Sequence, residues 1–208
     1  MLYSAACERN KAPILAVLRA WLPPGARVLE IGSGSGQHAR FFCQQLAGLH
    51  WQCSERPEAW ADLAEALAAA APEELAPGEL ATGASLPAPI SLEVRQAEPW
   101  PGGDYDAVFT ANTCHIMPEA ALAPLLAGSR RALRPGGRLL LYGPFHDNGV
   151  PSAASNAAFD AHLRSLDPAM GVRDAVQLQA QARSLGLAPL ADIAMPANNR
   201  ILIFAAPP

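Results

Sequence analysis

Three glycines at alternate positions, Gly32, Gly34 and Gly36, stand between an apolar run and a segment with helical spacing. The apolar run "ARVLEIG", at 26–32, is typical of a buried strand, and "QHARFFCQQLAG", at 37–48, is typical of a helix. A strand that turns at once into a helix must bend sharply, and glycine tolerates the positive φ angles and close contacts of such a bend. A bend without side chains also lets a ligand lie against the backbone and the first amides of the helix. We therefore expect a nucleotide-like ligand at this point of the chain.

Strand-like and helix-like segments alternate along the rest of the chain. Helical spacing and helix-forming residues predict helices at 12–22, 37–48, 58–71, 119–133, 152–166 and 174–185. Short apolar runs predict strands at 26–32, 50–55, 90–94, 105–112, 137–145, 187–194 and 200–205. Four prolines and two glycines predict a loop at 72–89 that could be mobile. Strands that alternate with helices favour a mostly parallel sheet covered on both faces, where ligands bind beyond the carboxyl ends of the strands.

The composition restricts the partners and the compartment. A chain of 208 residues is long enough for one domain with a substantial core, since single domains commonly reach ~200 residues. Its 15 basic and 19 acidic residues give a net charge of −4, which disfavours nucleic acid and anionic membranes as partners. No apolar stretch approaches the ~18 to 20 residues that span a bilayer, and the amino terminus lacks the pattern of a signal peptide. We therefore expect a cytoplasmic protein. Because its four cysteines form no ligand-like spacing, we also expect them to be reduced and to form no metal site.

Two common nucleotide-binding patterns do not fit the glycine bend. The phosphate-binding loop needs G-x-x-x-x-G-K-[ST], but Gln37 stands five places after Gly32 and no lysine is near. The dinucleotide pattern G-x-G-x-x-G fails from Gly32 for the same reason. Its variant G-x-G-x-x-A can be traced from Gly34 to Ala39, so an NAD site stays open as a weaker alternative.

A third pattern, acid-x-Gly-x-Gly-x-Gly, is met in full by Glu30 and the three glycines. It resembles the first motif of class I S-adenosylmethionine-dependent methyltransferases. Glu55, at the end of the second predicted strand, could accept two hydrogen bonds from a ribose diol, although it would serve NAD equally well. Downstream, "YDAVFTANTCHIMP" and "ALRPGGRLLLYGPF" resemble the fourth-strand and fifth-strand motifs of the methyltransferases. These two segments favour the methyltransferase class.

A closer family resemblance covers nearly the whole chain. The segments "AACERNKAPIL", "WQCSE", "ANTCHI", "LYGPF", "SNAAFDAHLRSLDP" and "MPANN" resemble the signatures of the DUF938 (UPF0585) family of class I methyltransferase-like proteins. The resemblance implies a Rossmann-like α/β fold: a seven-stranded, mostly parallel sheet with an antiparallel C-terminal strand and helices on both faces. It implies S-adenosylmethionine as cofactor and S-adenosylhomocysteine as product. Most relatives have a short connection at 72–89 and an aspartate in place of Glu55, whose extra methylene should keep the ribose contact.

Under this interpretation residues 1–208 form one domain. We expect residues 1–25 to supply a helical segment that covers the cofactor site, and residues 146–186 to supply a helical insertion on the substrate side.

The candidate cofactor contacts come from the strand ends and from the polar segment ahead of the first predicted helix. They are Arg9, Asn10, Glu30, Gly32, Gly34, Gly36, Glu55, Glu93, Val94 and Asn112. We expect Glu30 to work by fixing the bend or a water molecule more often than by direct contact. The adenine slot is drawn from residues 93–97, with Glu93 and Val94 preferred, and Trp100 either lines that slot or caps the core. Asn112 is expected at the cofactor's methionine end or the substrate, and the alternative is that it caps a turn.

The candidate acceptor-side residues follow the fourth and fifth strands or lie near the C-terminus. The catalytic candidates are His146, Asp147 and Tyr142, and the substrate-side candidates are His115, Asn156, Asn198 and Asn199. His146 with Asp147 could act as a general base or be a surface pair. His115 could instead pack against the next helix, the helical face that carries Asn156 could pack on the sheet, and the two C-terminal asparagines could merely supply a turn.

The predicted function is methyl transfer to a small-molecule or peptide acceptor by in-line displacement. The sulfonium already activates the methyl group, so positioning alone can lower the barrier and no general base is required. The alternatives are a non-catalytic scaffold or sensor that binds the cofactor and, less favoured, an NAD-dependent oxidoreductase.

Overall fold

A computed structural model describes residues 3–69, 80–96 and 100–208 of the chain. The helices are α1 (Ala5–Trp21), α2 (Gln37–Gln45), α3 (Pro57–Ala68), α4 (Leu122–Ala132), α5 (Ala154–Leu166) and α6 (Ala175–Ser184), with a 3₁₀ turn at Glu119–Ala121. The strands are β1 (Arg27–Ile31), β2 (His50–Glu55), β3 (Ile90–Ser91), β4 (Tyr105–Ala111), β5 (Leu133–Gly143), β6 (Phe145–Asp147), β7 (Val150–Pro151), β8 (Arg173–Asp174), β9 (Ala188–Met195) and β10 (Asn199–Ala205). Within these ranges no helix is both long enough and apolar enough to cross a membrane.

The main sheet has seven strands in the order β3-β2-β1-β4-β5-β10-β9. β2 pairs in parallel with both β1 and β3, whereas β10 runs antiparallel to β5 and to β9. The predicted fold class, a mostly parallel sheet with an antiparallel C-terminal strand, is confirmed. A second sheet of short strands, β7-β6-β8, was not predicted, because strands of two or three residues leave no periodic pattern in a sequence.

The chain divides into two compact units, and the first contains Met1–Glu93 with Tyr105–Ala107. In this unit β1 is buried from its second residue onward. The ring of Phe42 from α2 packs on the indole of Trp51 from β2, with ring centroids 5.2 Å apart, and both side chains are fully buried. This aromatic contact packs α2 against the sheet and so helps to hold the bend between β1 and α2 in position.

The second unit contains Val94–Asp104 with Val108–Pro208. Consecutive residues of its strands, at 139–141 and 201–204, are fully buried, as expected of strands covered on both faces. Trp100 lies against Gly128 of α4, where a β-carbon would stand 2.2 Å from the indole ring. Of the two alternatives for Trp100, its position matches the one in which it caps the core.

The first helix differs most from the prediction. It begins at Ala5, not at residue 12, because the Ser4 hydroxyl caps it by accepting a hydrogen bond from the backbone N–H of Cys7 at 3.3 Å. Arg9 and Asn10 therefore belong to the helix itself, and Pro13 lies in its interior. A cap and an acid in the first turn outweigh the missing N–H of one proline.

Two predicted strands differ clearly in their bounds from those in the structure. The third strand was expected at 90–94 but contains only Ile90–Ser91, and the fifth was expected at 137–145 but begins at Leu133. Of the loop predicted at 72–89, residues 72–79 lie outside the described residues. Its remainder is bound beside β2, since the backbone of Ser85 exchanges hydrogen bonds with Leu49 and Trp51 at 2.8 and 3.0 Å.

Candidate functional site

The glycine bend joins β1 to α2 in the first unit. Gly32, Gly34 and Gly36 have φ angles of 70°, 55° and 70°, a region that residues with a β-carbon rarely adopt. A β-carbon at Gly36 would lie 2.6 Å from Cδ2 of Leu67, whereas one at Gly34 would meet no atom within 4 Å. A side chain at Gly36 would thus have to displace Leu67, whereas Gly34 leaves exposed backbone that a ligand can approach.

Glu55 ends β2 beside this bend. Its Oε2 accepts a hydrogen bond from the backbone N–H of Gly34 at 3.0 Å, and its Oε1 accepts one from the N–H of Arg56 at 3.0 Å. The side chain is partly exposed, so the carboxylate keeps lone pairs that face solvent. The structure therefore brings together the acid and the open glycine that the sequence selected.

Glu30 lies beneath the bend and is 1 % exposed. Its Oε2 accepts a hydrogen bond from the indole N–H of Trp51 at 2.9 Å and lies 3.8 Å from Sγ of Cys53. Burial raises the pKa of Glu30 to about 7, although hydrogen bonds from Trp51, Ser33 and Cys53 oppose that rise. The structure places this carboxyl where it supports the bend from within the core.

The bend is also tied directly to β2. The backbone N–H of Ser33 donates to the carbonyl of Ser54 at 2.9 Å, and the Ser33 hydroxyl accepts from the Ser54 N–H at 3.2 Å. The Ser54 hydroxyl donates to the carbonyl of Glu30 at 2.6 Å. Sequence reasoning missed both serines, which stand next to the residues that it selected.

His38, in the first turn of α2, was likewise missed. Its Nε2 lies 2.7 Å from Oδ1 of Asn10, and its Nδ1 lies 3.9 Å from both Sγ of Cys7 and Oε1 of Glu30. Burial lowers the pKa of His38 to about 4, so the ring is neutral near neutral pH. Asn10 is thus buried against a histidine, whereas Arg9 is exposed on α1.

The adenine candidates follow β3. Glu93 and Val94 are both half-buried, and they fall in the first and the second compact unit respectively. The carbonyl of Gln96 accepts the indole N–H of Trp100 at 3.1 Å, and Ala97 lies outside the described residues. The assignment of adenine to Glu93 and Val94 stays a prediction.

In the second unit, Asn112 directly follows β4 with a positive φ of 59°. Its backbone N–H donates to the carbonyl of Tyr142 in β5 at 2.9 Å, and its side chain is half-buried. Tyr142 is 5 % exposed. This hydrogen bond connects the residue after β4 to β5. The roles of the Asn112 and Tyr142 side chains stay predictions.

His146 and Asp147 do not form a pair. They are neighbours in β6, where successive side chains point to opposite faces. Both oxygens of Asp147 accept hydrogen bonds from Nη1 of Arg200, at 2.9 and 2.8 Å. The carboxylate of Asp160 lies close to His146, with Oδ1 4.0 Å from Nε2. Within the described ranges the buried Nδ1 of His146 has no hydrogen-bond partner.

His115 is buried against α5, whereas one of its two alternatives expected packing on the next helix along the chain, which is α4. Its ring meets Phe159 of α5 edge to face, with centroids 5.1 Å apart, and burial lowers its pKa to about 4. Behind it, the buried side chain of Arg173 donates to the backbone carbonyls of Cys114, Met117 and Ala169. Sequence reasoning did not identify Arg173, which holds the segment after β4 in place.

Two of the three remaining asparagines tie the start of α5 to the turn between β9 and β10. Nδ2 of Asn156 donates to the hydroxyl of Ser152 at 2.8 Å and to the carbonyl of Asn198 at 2.9 Å. Nδ2 of Asn198 donates to the Ser155 hydroxyl at 3.0 Å, and that of Asn199 donates within its own turn. In the part of the chain described, no three His, Cys, Asp or Glu side chains are grouped to hold a metal ion.

Residues 1–206 match the model of a family described as a protein of unknown function (DUF938). The chain belongs to the DUF938 family. The match spans both compact units of the chain and includes all of the residues discussed above.

Solved methyltransferases share the fold of this DUF938 chain. The S-adenosylmethionine-dependent methyltransferase SibL in its apo form is 20% identical with a TM-score of 0.74, and covers 98% of this chain and 56% of its own. Human N-acetylserotonin methyltransferase, in complex with SAM, is 15% identical with a TM-score of 0.73, over 98% and 53% of the two chains. An O-methyltransferase family protein from Burkholderia thailandensis is 17% identical with a TM-score of 0.73, over 97% and 57%. The DUF938 chain thus has the fold of these methyltransferases and spans little more than half of their length.

Proposed function

We propose that this DUF938 protein transfers the methyl group of S-adenosylmethionine to a small-molecule or peptide acceptor by in-line displacement. The observation that carries the proposal is the contact of 3.0 Å between the Glu55 carboxylate and the N–H of Gly34. It joins the acid at the end of β2 to the exposed glycine bend at the end of the neighbouring strand, β1. The likeness in fold to S-adenosylmethionine-dependent methyltransferases supports the same interpretation.

The residues of the first unit fit this cofactor. Gly34 leaves open space above its backbone, which the ribose and methionine portions could occupy. The free lone pairs of Glu55 would accept the two ribose hydroxyls. Arg9 is exposed on α1 and could bind the cofactor carboxylate. We assign Asn10 and Glu30 to support of the bend, because both side chains are buried and engaged with His38 and Trp51.

When bound, the cofactor supplies a methyl group that its sulfonium has already activated. The task of the protein is then to hold the acceptor atom in line and exclude water, which can lower a barrier by ~7 kcal/mol or more in the best cases. A thiolate or an ionised carboxylate would need no base, because neither carries a proton to remove. For an amine or hydroxyl acceptor the base would be His146, because Asp147 is occupied by Arg200.

The acceptor is proposed to be small. A net charge of −4 disfavours a nucleic acid, whose binding requires a concentrated basic face. Tight binding of RNA that weakens steeply with salt would contradict this choice of acceptor. We also propose a cytoplasmic location, which fits the four free cysteines, since disulfides are rare in that compartment.

Calorimetric titration with S-adenosylmethionine, S-adenosylhomocysteine and NAD tests the proposal. A matched pair of variants, Gly34→Asp and Gly136→Asp, places the same side chain at two exposed glycines with positive φ and open space around the β-carbon. We expect Gly34→Asp to weaken binding of both adenosyl ligands at least about a hundredfold, because it fills the bend and sets a second carboxylate beside Glu55, while Gly136→Asp binds like wild type.

Binding of NAD alone would favour an oxidoreductase and overturn the proposal. Once the adenosyl ligands bind, incubation with labelled S-adenosylmethionine and thiol, carboxylate or amine acceptors tests turnover. Tight binding without transfer to any class of acceptor would favour the scaffold alternative.

A further inference from the structure

The side chain of Gln37, the first residue of α2, joins three segments of the first unit. Its Oε1 accepts hydrogen bonds from the backbone N–H of Ser4 at 2.6 Å and from the hydroxyl of Ser35 at 2.7 Å. Its Nε2 donates to Oε1 of Glu8 at 2.9 Å. A backbone N–H can only donate and a carboxylate can only accept, so this orientation of the amide satisfies all three partners. One side chain therefore links the cap of α1, the first turn of α1 and the glycine bend.

The link continues to a cation on α1. Oε2 of Glu8 accepts from Nζ of Lys11 at 2.5 Å, and the Lys11 ammonium lies 5.0 Å from the centre of the Phe41 ring in α2. The hydrogen bond from Lys11 is the main reason that the pKa of Glu8 is lowered, so Glu8 is an anion near neutral pH. The Nε2 of Gln37 thus faces a negative charge near neutral pH.

We propose that Gln37 is a positioning residue for the cofactor, and that it couples the attachment of α1 to the shape of the glycine bend. The inference rests on the proposed function and names a determinant of cofactor affinity that the glycine pattern does not contain. Gln37 acts through Ser35 and through α1, and no direct contact with the cofactor is required.

The physical reason is conformational entropy. Ser35 stands between Gly34 and Gly36, and glycine loses more backbone freedom on ordering than any other residue. The hydrogen bond from the Ser35 hydroxyl to Gln37 restrains the bend before a ligand arrives, which reduces the ordering that binding must achieve. Because the same oxygen holds the Ser4 N–H, loss of this acceptor releases the start of α1 and the bend together.

The test uses Gln37→Glu, which keeps the size of the side chain but sets a carboxylate oxygen against the Glu8 carboxylate. Repulsion should drive the two side chains apart and remove the shared acceptor from Ser4 and Ser35. The double variant Glu8→Gln/Gln37→Glu restores one donor and one acceptor at the same place, and residue 8 can still accept a hydrogen bond from Lys11. Gln45→Glu makes the same change on the exposed last turn of α2 and serves as the control.

Two quantities are measured in the full-length protein: the Kd for S-adenosylhomocysteine by calorimetry, and the hydrogen exchange of the α1 amides without ligand. We expect Gln37→Glu to weaken binding about tenfold, because binding must then order the bend itself, and to speed hydrogen exchange at the start of α1. The double variant should return both quantities to the wild-type values. A variant that simply failed to fold would not be rescued in this way. Gln45→Glu should change neither.

A Kd for Gln37→Glu within about twofold of wild type would overturn the inference. The inference would also be overturned if the double variant recovered neither the Kd nor the slow hydrogen exchange of α1. If wild type binds no adenosyl ligand, the proposed function fails on that result alone. Hydrogen exchange then still decides whether Gln37 holds α1, and equal exchange in wild type and Gln37→Glu would show that it does not.

Discussion

Oδ1 of Asn10 lies 2.7 Å from Nε2 of His38, and both side chains are buried. Because an amide oxygen only accepts hydrogen bonds, the neutral histidine carries its proton on Nε2 and presents Nδ1 as an acceptor. That atom lies 3.9 Å from the thiol sulfur of Cys7. A buried polar contact thus joins α1 to α2 directly beneath the glycine bend.

Replacing Asn10 by leucine should destabilise the protein, although the two side chains are similar in size. The substitution leaves the Nε2–H of His38 buried without an acceptor, which costs about 1–3 kcal/mol in the free energy of unfolding. Urea denaturation at neutral pH measures the change. The neighbouring variant Arg9→Leu alters an exposed position of the same helix and should stay within about 0.5 kcal/mol of wild type. Equal stabilities for the two variants would contradict the role assigned to Asn10.

Glu30 should make stability fall as pH rises through a defined window. Burial raises its pKa from 4.5 to about 7, so the folded protein retains a proton that the unfolded chain releases between these values. The stabilisation is complete below pH 4.5 and is lost as pH rises to about 7. Glu30→Gln removes this titration, and its free energy of unfolding relative to wild type should rise by about 3 kcal/mol across the window, at ~1.4 kcal/mol per pKa unit.

His38 provides a comparison of opposite sign. Its pKa is lowered by burial from 6.5 to about 4, so the unfolded chain binds the proton more readily and stability rises with pH between these values. Relative to wild type, His38→Gln should therefore lose stability as pH rises to 6.5. Denaturant titrations at several pH values read both effects. Curves for Glu30→Gln that run parallel to those of wild type would show that this carboxyl titrates normally.

Gly36→Ala should destabilise the protein more than Gly34→Ala. Both variants place a β-carbon at a positive φ, a strain of about 1 kcal/mol. Only the alanine at 36 also meets Cδ2 of Leu67, which should bring its total cost to about 2–3 kcal/mol. Thermal and urea unfolding measure the difference. Combining Gly36→Ala with Leu67→Ala should recover the steric part, and a purely additive pair would count against this contact.

Gly128→Ala should destabilise the protein even though alanine favours a helix over glycine by about 1 kcal/mol. The new β-carbon would lie 2.2 Å from the ring of Trp100, and the ring is too bulky to yield without moving the core. We expect a net loss of about 1–3 kcal/mol in the free energy of unfolding. Ala127→Gly, one position earlier in α4, tests propensity alone. A more stable Gly128→Ala variant would mean that Trp100 does not pack as described.

Elements with a strong local pattern could be predicted from the sequence. The second strand was expected at 50–55 and is His50–Glu55, because its apolar residues alternate and turn-forming residues bound it. The start of α1 was wrong, since the Ser4 cap depends on a geometry that no periodicity reveals. β8 pairs with β6 through residues that are far apart in the chain, so no local pattern could indicate it. β6 and β7 form a tight hairpin around Asn148 and Gly149, and that turn signal was missed.

The same division holds for the candidate site. Glu55 and the glycines were selected from their spacing, and the structure brings Glu55 to Gly34. The adjacency of His146 and Asp147 suggested that the two act together as a general base. They do not pair, because Arg200, 53 residues from Asp147, binds that carboxylate. Gln37 and Glu8, which lie 29 residues apart, meet only after α1 packs on α2.

The sequence by itself determined the order of strands and helices, the sharp bend after β1 and the acid beside it, because these depend on side-chain periodicity and on glycine at fixed positions. Only the tertiary structure decided which polar groups are buried and which partners they have. Burial and pairing depend on the packing of segments distant in the chain. That packing buries Glu30 and Asn10, which the sequence offered as cofactor contacts, against Trp51 and His38.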